Sequence, residues 1–152
     1  MEYGIYSIES GNLVNSAVRL LEKIYNSGKR CVFFSPLAER VNLIDRTLWT
    51  FSTNVFVPHG DKNLGFSEKQ PIFFTDTLNV NPNGATVLMM LDSLDFHFWN
   101  DYEKFEKIIM MLDDEESRRA SEKLFADLKK GAENVNYWKQ SSKGWIQLEN
   151  ID

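Results

Sequence analysis

The sequence has one cysteine, no long apolar run and no excess of basic residues, and each lack excludes a class of protein. The single Cys31 cannot form an internal disulfide, and the opening MEYGIYSIES has neither the basic start nor the apolar stretch of a secretory signal. No apolar run reaches the roughly 18 residues that a membrane helix needs. We therefore expect a cytoplasmic protein without a membrane partner.

The charge is also informative. A net charge of -5 argues against a protein that wraps duplex DNA on a broad basic face, because such binding depends on neutralising phosphates. The charge is uneven, since residues 115–143 carry seven Lys or Arg against five Asp or Glu. The charge therefore argues against a broad duplex-binding face, although the segment 115–143 is locally basic.

The 152 residues have the usual length of a single domain, here residues 1–152. Strand-like and helix-like periods alternate along the chain. The predicted strands are YGIYSI, RCVFF, PIFFT, TVLMML, FEKIIMML and NVNYW. Helices are predicted between several of them, and the most apolar runs are typical of strands that are covered on both faces. The pattern predicts a three-layer α/β domain with a mostly parallel sheet and helices on both faces.

Capping residues and apolar stripes predict where the helices lie. The first helix is expected between a possible Asn12 N-cap and Gly28. The second is expected to begin at Ser35 and Pro36, and the last at Asp113 or Asp114. The expected inner stripes are Leu13, Ala17, Leu20, Leu21 and Ile24 for the first, Leu37, Val41, Ile44 and Leu48 for the second, and Ala120, Leu124 and Leu128 for the last.

No catalytic, nucleotide or metal motif is present. The nearest approach to a phosphate loop, GDKNLGFS, has Phe66 where a lysine is needed, and GxGxxG does not occur. His59 and His97 are far apart in sequence, and no spacing brings metal ligands together. The acidic run LDDEES is typical of a helix start. We expect a binding protein with no cofactor and no metal, and no enzyme activity of its own.

The stretch LWTFSTNVFVPHG, residues 48–60, is unusually aromatic. Trp49 falls at the end of the second predicted helix, and Phe56 lies in a short strand-like segment that Pro58 limits to an edge or an end. Large aromatic rings in such places are common anchors of protein interfaces, but they can equally belong to the core. Composition alone leaves both interpretations open.

Five segments together resemble the chi subunit of bacterial DNA polymerase III. They are IYNSGKRCVFF, LWTFSTNVFVPHG, QPIFFT, NPNGATVLMMLD and LKKGAENVNYWKQ, in that order. The loop before QPIFFT and the NPNGA segment look most like the alphaproteobacterial branch. The resemblance spans nearly the whole chain, and it implies a Rossmann-like fold without nucleotide chemistry.

The resemblance also implies a function. It implies a non-catalytic accessory subunit of the clamp-loader complex that grips the acidic C-terminal tail of single-stranded DNA-binding protein, which ends in phenylalanine. Through this partner the chain would reach DNA only indirectly. A peptide of that kind needs an apolar slot beside a cation. Trp49 and Phe56 match the family's partner-binding aromatic positions. The expected surface brings these rings together with a cation of the last helix.

The last helix matches the family only in part. Arg118 and Phe125 match its basic and aromatic positions, but Glu122 falls at the second basic position, and a shift by one residue puts Ser121 there. Arg119 or Lys123 could substitute. Two alternatives to tail binding also stay open, namely an adaptor that mainly docks the psi subunit or another clamp-loader subunit, and a small α/β enzyme.

Overall fold

The computed structural model describes residues 1–51, 59–60 and 70–149. Its strands are β1 (Glu2–Ser7), β2 (Cys31–Phe34), β3 (His59–Gly60), β4 (Ile72–Thr75), β5 (Val87–Leu91), β6 (Lys107–Leu112), β7 (Val135–Ser141) and β8 (Gly144–Leu148). Its α-helices are α1 (Leu13–Asn26), α2 (Ala38–Phe51) and α3 (Glu115–Lys130). Two short 3-10 helices, Phe96–Phe98 and Tyr102–Lys104, lie between β5 and β6.

The described strands form one sheet in the order β3-β4-β2-β5-β6-β1-β7-β8. Every neighbouring pair is parallel except β7 and β8, which form an antiparallel hairpin. Strands β2, β4 and β5 are buried along their full length, as their continuous apolar runs predict. The predicted mostly parallel sheet of a three-layer α/β domain is confirmed.

Two apolar clusters hold the layers together, one on each face of the sheet. Helices α1 and α2 cover the first face, where Leu21 and Ile44 pack on strand residues such as Phe33. Helix α3 and the segment with the 3-10 helices cover the second face, where Phe125 and Phe96 are fully buried. The two faces follow from the alternation of side chains along each strand.

The second predicted helix begins later than expected. The hydroxyl of Ser35 accepts the N–H of Leu37 at 3.2 Å, but the helix starts at Ala38, and Leu37 is exposed. The rest of the predicted stripe, Val41, Ile44 and Leu48, is buried. The Ser35 hydroxyl also donates to Asp92 at the end of the neighbouring strand β5, so this contact, and not helix capping alone, fixes the Ser35 side chain.

The predicted stripe of the last helix is confirmed for Leu124 and Leu128, which pack against the second cluster, and is wrong for Ala120. Ser121 and Phe125 are buried, Leu124 and Leu128 are partly buried, and Ala120 is exposed. Ser121 can face the sheet because its hydroxyl lies 2.9 Å from the hydroxyl of Tyr137 on β7. Apolar periodicity could not indicate this, because the residue that points inward is polar.

Candidate functional site

Helix α3 is positioned by its first turn and by the sheet beneath it. Asp114 is the N-cap and accepts the N–H of Ser117 at 3.0 Å, as predicted for Asp113 or Asp114. Hydrogen bonds from Ser117 hold the pKa of the Asp114 carboxyl below its ordinary value, and the bond from the Ser117 side chain has a larger effect than the bond from its backbone. With Ser121 and Phe125 facing the sheet, the opposite side of the helix faces solvent.

The two arginines of α3 have different surroundings. Arg118 donates from Nε to the Ser7 hydroxyl at 2.9 Å and from Nη1 to Glu115 at 3.1 Å, and its side chain is only 27% exposed. Arg119 is 80% exposed, and its one described ion pair, also with Glu115, is long at 3.8 Å. Arg118 is therefore fixed against the end of β1, whereas Arg119 is available at the surface.

Lys123 lies one helical turn after Arg119 and is exposed. No ion pair of Lys123 occurs among residues 1–51, 59–60 and 70–149. Arg119 and Lys123 therefore form an exposed pair of cations one turn apart, the spacing that the resemblance requires but that Arg118 with Glu122 does not supply. Shifting the alignment by one residue would place Ser121 at the second basic position, but Ser121 is fully buried and cannot contact a partner at the surface.

Phe125 does not lie where the resemblance places it. Its ring is 1% exposed and packs against Tyr137 with ring centroids 5.5 Å apart. Lys129 covers the ring from outside, with Nζ 5.2 Å from the centroid. A direct contact between Phe125 and a peptide is at odds with this burial, so Phe125 is better explained as the anchor of α3.

Trp49 lies in α2, but its side chain and all of Phe56 lie outside the described residues. Helix α2 packs over β4 on the first face, and α3 packs over β1 and β7 on the second. Three strands separate β4 from β1, a distance of about 19 Å across the sheet. The convergence of Trp49, Phe56 and an α3 cation on one surface stays a prediction. Because α2 and α3 lie on opposite faces of the sheet, they do not form a groove between them.

A second surface lies on the first face, beside α1, and we call it the aromatic groove. It is lined by Tyr6 of β1, Trp138 of β7 and Trp145 of β8, with polar residues of α1 on its rim, and it encloses about 920 Å³. Tyr6 and Trp145 meet edge to face at 5.5 Å. Burial raises the pKa of the Tyr6 phenol, with a smaller contribution from Glu2.

Strand β8 and the groove that it completes were not predicted from the sequence. The signal was present, since SSKG is a turn-like run and WIQL after it continues as an extended segment that can pair with NVNYW. The pairing places Gln147 beside Trp138 and Trp145 beside Gln140. The hairpin thus places Trp138, which is partly buried, and Trp145, which is exposed, beside α1 on the first face of the sheet.

A polar cluster lies at the carboxyl ends of β2 and β5. Asp92, after β5, accepts hydrogen bonds from the Ser35 hydroxyl at 2.9 Å and from Nε of Arg40 at 3.2 Å. Asp92 has a left-handed backbone, with φ of 62°. Since the carboxylate is engaged by both donors, this cluster is best explained as a clamp that fixes the start of α2.

Nothing in the described ranges points to a metal centre or a membrane span. No group of three His, Cys, Asp or Glu residues there could hold a metal ion. Cys31 is fully buried, and burial raises the pKa of its thiol. None of the described helices combines the length and apolarity that crossing a bilayer requires.

Comparison with known proteins decides the family. The family model described as "DNA polymerase III chi subunit, HolC" matches residues 2–133, which is most of the chain. The chain belongs to the DNA polymerase III chi subunit family. The "Probable DNA polymerase III subunit chi" of Rickettsia prowazekii (strain Madrid E) is 34% identical over 94 residues, 62% of this chain. That alignment covers 56% of the relative, so the chain spans just over half of the relative's length.

The family model describes a subunit of DNA polymerase III. The match includes α3 with Arg119 and Lys123, and it includes α2 with Trp49. It ends at residue 133, before β7 begins at Val135. The hairpin of β7 and β8 therefore lies outside the part of the chain that the family model accounts for.

Proposed function

We propose that this chi-family chain binds the acidic C-terminal tail of single-stranded DNA-binding protein on the outer side of α3. In this way it links that protein to the replicase within the clamp-loader complex. The observation that supports the proposal is the exposed pair Arg119 and Lys123, one turn apart on a chain whose net charge is -5. Cations so placed select a short acidic peptide, whereas the anionic remainder of the molecule repels an extended polyanion.

The electrostatics of α3 favour a peptide that ends in carboxylates. Glu115 partly neutralises Arg119, but their contact of 3.8 Å is long and exposed, so an incoming carboxylate can compete with it at little cost. Arg118 is already held by Ser7 and by a shorter contact with Glu115. We assign the main charge contact to Arg119 and Lys123, and to Arg118 the support of the helix start.

The aromatic part of the proposal rests on the resemblance. Trp49 and Phe56 are proposed to hold the terminal phenylalanine of the tail. Helices α2 and α3 pack on opposite faces of the sheet, so the charge contact on α3 is proposed as a contact separate from the one at Trp49 and Phe56. The two contacts are therefore separable by experiment.

The test is a titration of a labelled tail peptide against variants at low and high salt. Arg119→Ala and Lys123→Ala are each expected to weaken binding by up to about fivefold at low salt, and less at high salt, because exposed charge pairs are weak and screened. Lys104→Ala is the matched control, since Lys104 is an exposed lysine between β5 and β6.

Two outcomes would contradict parts of the proposal. Unchanged affinity in the double variant Arg119→Ala and Lys123→Ala removes α3 from the tail site. Wild-type affinity in Trp49→Ala, with an unchanged circular dichroism spectrum, removes the aromatic slot, because truncating an aromatic anchor commonly costs about 2 kcal/mol or more. A peptide that lacks the terminal phenylalanine controls for charge alone.

A second function is favoured by the aromatic groove. We propose that it docks another clamp-loader subunit, such as psi, since partly exposed tryptophans beside a polar rim are typical of protein interfaces. Trp145→Ala is then expected to reduce capture of psi and to leave tail binding unchanged. Equal capture of psi by Trp145→Ala and wild type would refute this role.

A further inference from the structure

Strand β8 forms one edge of the sheet and is exposed. In the described part of the chain its one neighbour is β7, so the other side of β8 presents backbone N–H and C=O groups to solvent. Its side chains are exposed too, with Trp145 at 42% and Ile146 at 50%. An edge of this kind can accept a further strand.

The sequence of β8 lacks the usual protection of an edge strand. GWIQL contains no proline and no charged residue. Charges occur only just outside it, with Lys143 on one side and Glu149 on the other. Neither side chain has an ion pair within residues 1–51, 59–60 and 70–149. The segment is thus an uncharged strand with a cationic side chain before it and an anionic side chain after it, and Lys129 donates to the carbonyl of Glu149.

This arrangement is self-complementary, and we propose that β8 pairs with β8 of a second copy of this chain. The two strands run antiparallel about a two-fold axis at Ile146. This register overlaps the five-residue strands completely and places Gly144 opposite Leu148. It also places Lys143 of each copy opposite Glu149 of the other, which forms two ion pairs. A closed two-fold pairing uses the same edge on both copies and ends with a dimer.

Other registers and orientations lose these contacts. A shift by one residue turns the side chains of one strand to the opposite face, and a parallel pair sets like charges beside each other. The pairing adds a contact between two Ile146 side chains on the face that Leu148 shares, away from Trp145. The dimer edge is therefore distinct from α3 and does not depend on the tail-binding proposal, and Ile146 at its centre points away from the aromatic groove that Trp145 lines.

The first test is disulfide trapping at the two-fold axis. Opposed residues of an antiparallel pair have Cα atoms about 4.5 to 5.5 Å apart, which suits a disulfide. Ile146→Cys is expected to form a covalent dimer under mild oxidation. Gln147→Cys is the matched control, because position 147 faces position 145 of the other copy. The native Cys31 is fully buried and does not contribute background.

The second test exchanges the flanking charges. Lys143→Glu alone and Glu149→Lys alone place like charges opposite each other and are expected to raise the dissociation constant about tenfold at low salt. Mixing the two variants restores both opposite pairs and is expected to restore the dimer. Lys104→Glu, which changes the net charge by the same amount as Lys143→Glu far from β8, is expected to behave as wild type.

Sedimentation velocity over a concentration series gives the readout. A monomer at about 1 mM, or trapping of Gln147→Cys as fast as Ile146→Cys, would overturn the proposal and leave the edge for a strand of another protein. Growth beyond a dimer would also overturn it, since pairing of β8 with the opposite edge β3 gives open chains.

Discussion

The hydrogen bond between Ser121 and Tyr137 is predicted to hold α3 on the sheet. Removing the Ser121 hydroxyl is predicted to lower the free energy of unfolding more than removing the Tyr137 hydroxyl. Both residues are buried, and their hydroxyl oxygens are 2.9 Å apart. The Ser121 hydroxyl donates to the carbonyl of Arg118 at 2.7 Å, so the proton between the two hydroxyls belongs to Tyr137. Removing one partner therefore has a different consequence from removing the other.

Tyr137→Phe removes the donor and leaves no buried donor unpaired, so we expect a loss of about 1 kcal/mol in the free energy of unfolding. Ser121→Ala leaves the Tyr137 hydroxyl buried without an acceptor, which costs about 2 to 3 kcal/mol. The higher helix propensity of alanine offsets roughly 0.5 kcal/mol of that cost. The double variant removes the stranded hydroxyl, so it is expected to be more stable than Ser121→Ala alone.

Urea and thermal unfolding followed by circular dichroism measure the cycle. For a domain of this length, 1 kcal/mol corresponds to a shift in Tm of roughly 2 to 4 °C, so the variants are resolvable. Two results would refute the reasoning. One is a Ser121→Ala variant no less stable than Tyr137→Phe, and the other is a double variant in which the two losses simply add.

Two further predictions concern helix starts. The pKa of Asp114 is lowered in the folded protein, so its contribution to stability is present above the unfolded-state pKa and is lost as the pH falls through the folded-state pKa. Asp114→Ala should therefore lower the free energy of unfolding in urea by about 1 kcal/mol at pH 7. An equal loss at a pH below the folded-state pKa would contradict this. Asp92→Ala should cost about 1 to 3 kcal/mol by stranding the Ser35 hydroxyl and the Arg40 guanidinium, while Asp92→Asn should cost less because asparagine keeps the left-handed backbone and one acceptor. Equal stability of Asp92→Ala and wild type would show that the clamp does not hold α2.

The sequence by itself determined the kind and order of most elements. Continuous apolar runs such as VLMML need cover on both faces, and this local property was enough to predict buried parallel strands. The start of α3 at Asp114 and the glycine after α1 also follow from local chemistry, since Gly28 has φ of 80°. The sequence segments that indicate the chi family could likewise be recognised without a structure, and the family is confirmed.

Only the tertiary structure decided which side chains of α3 are buried and which are exposed, and which face of the sheet each helix covers. Ser121 turns inward because Tyr137, sixteen residues away, offers a hydroxyl, and this rotation buries Phe125. The same rotation ties Arg118 to Ser7 across 111 residues and leaves Arg119 exposed. These orientations depend on partners that are distant in the sequence, so apolar periodicity does not predict them. The placement of α2 and α3 on opposite faces is likewise set by strand order, and strand order is decided by long-range pairing rather than by any local pattern.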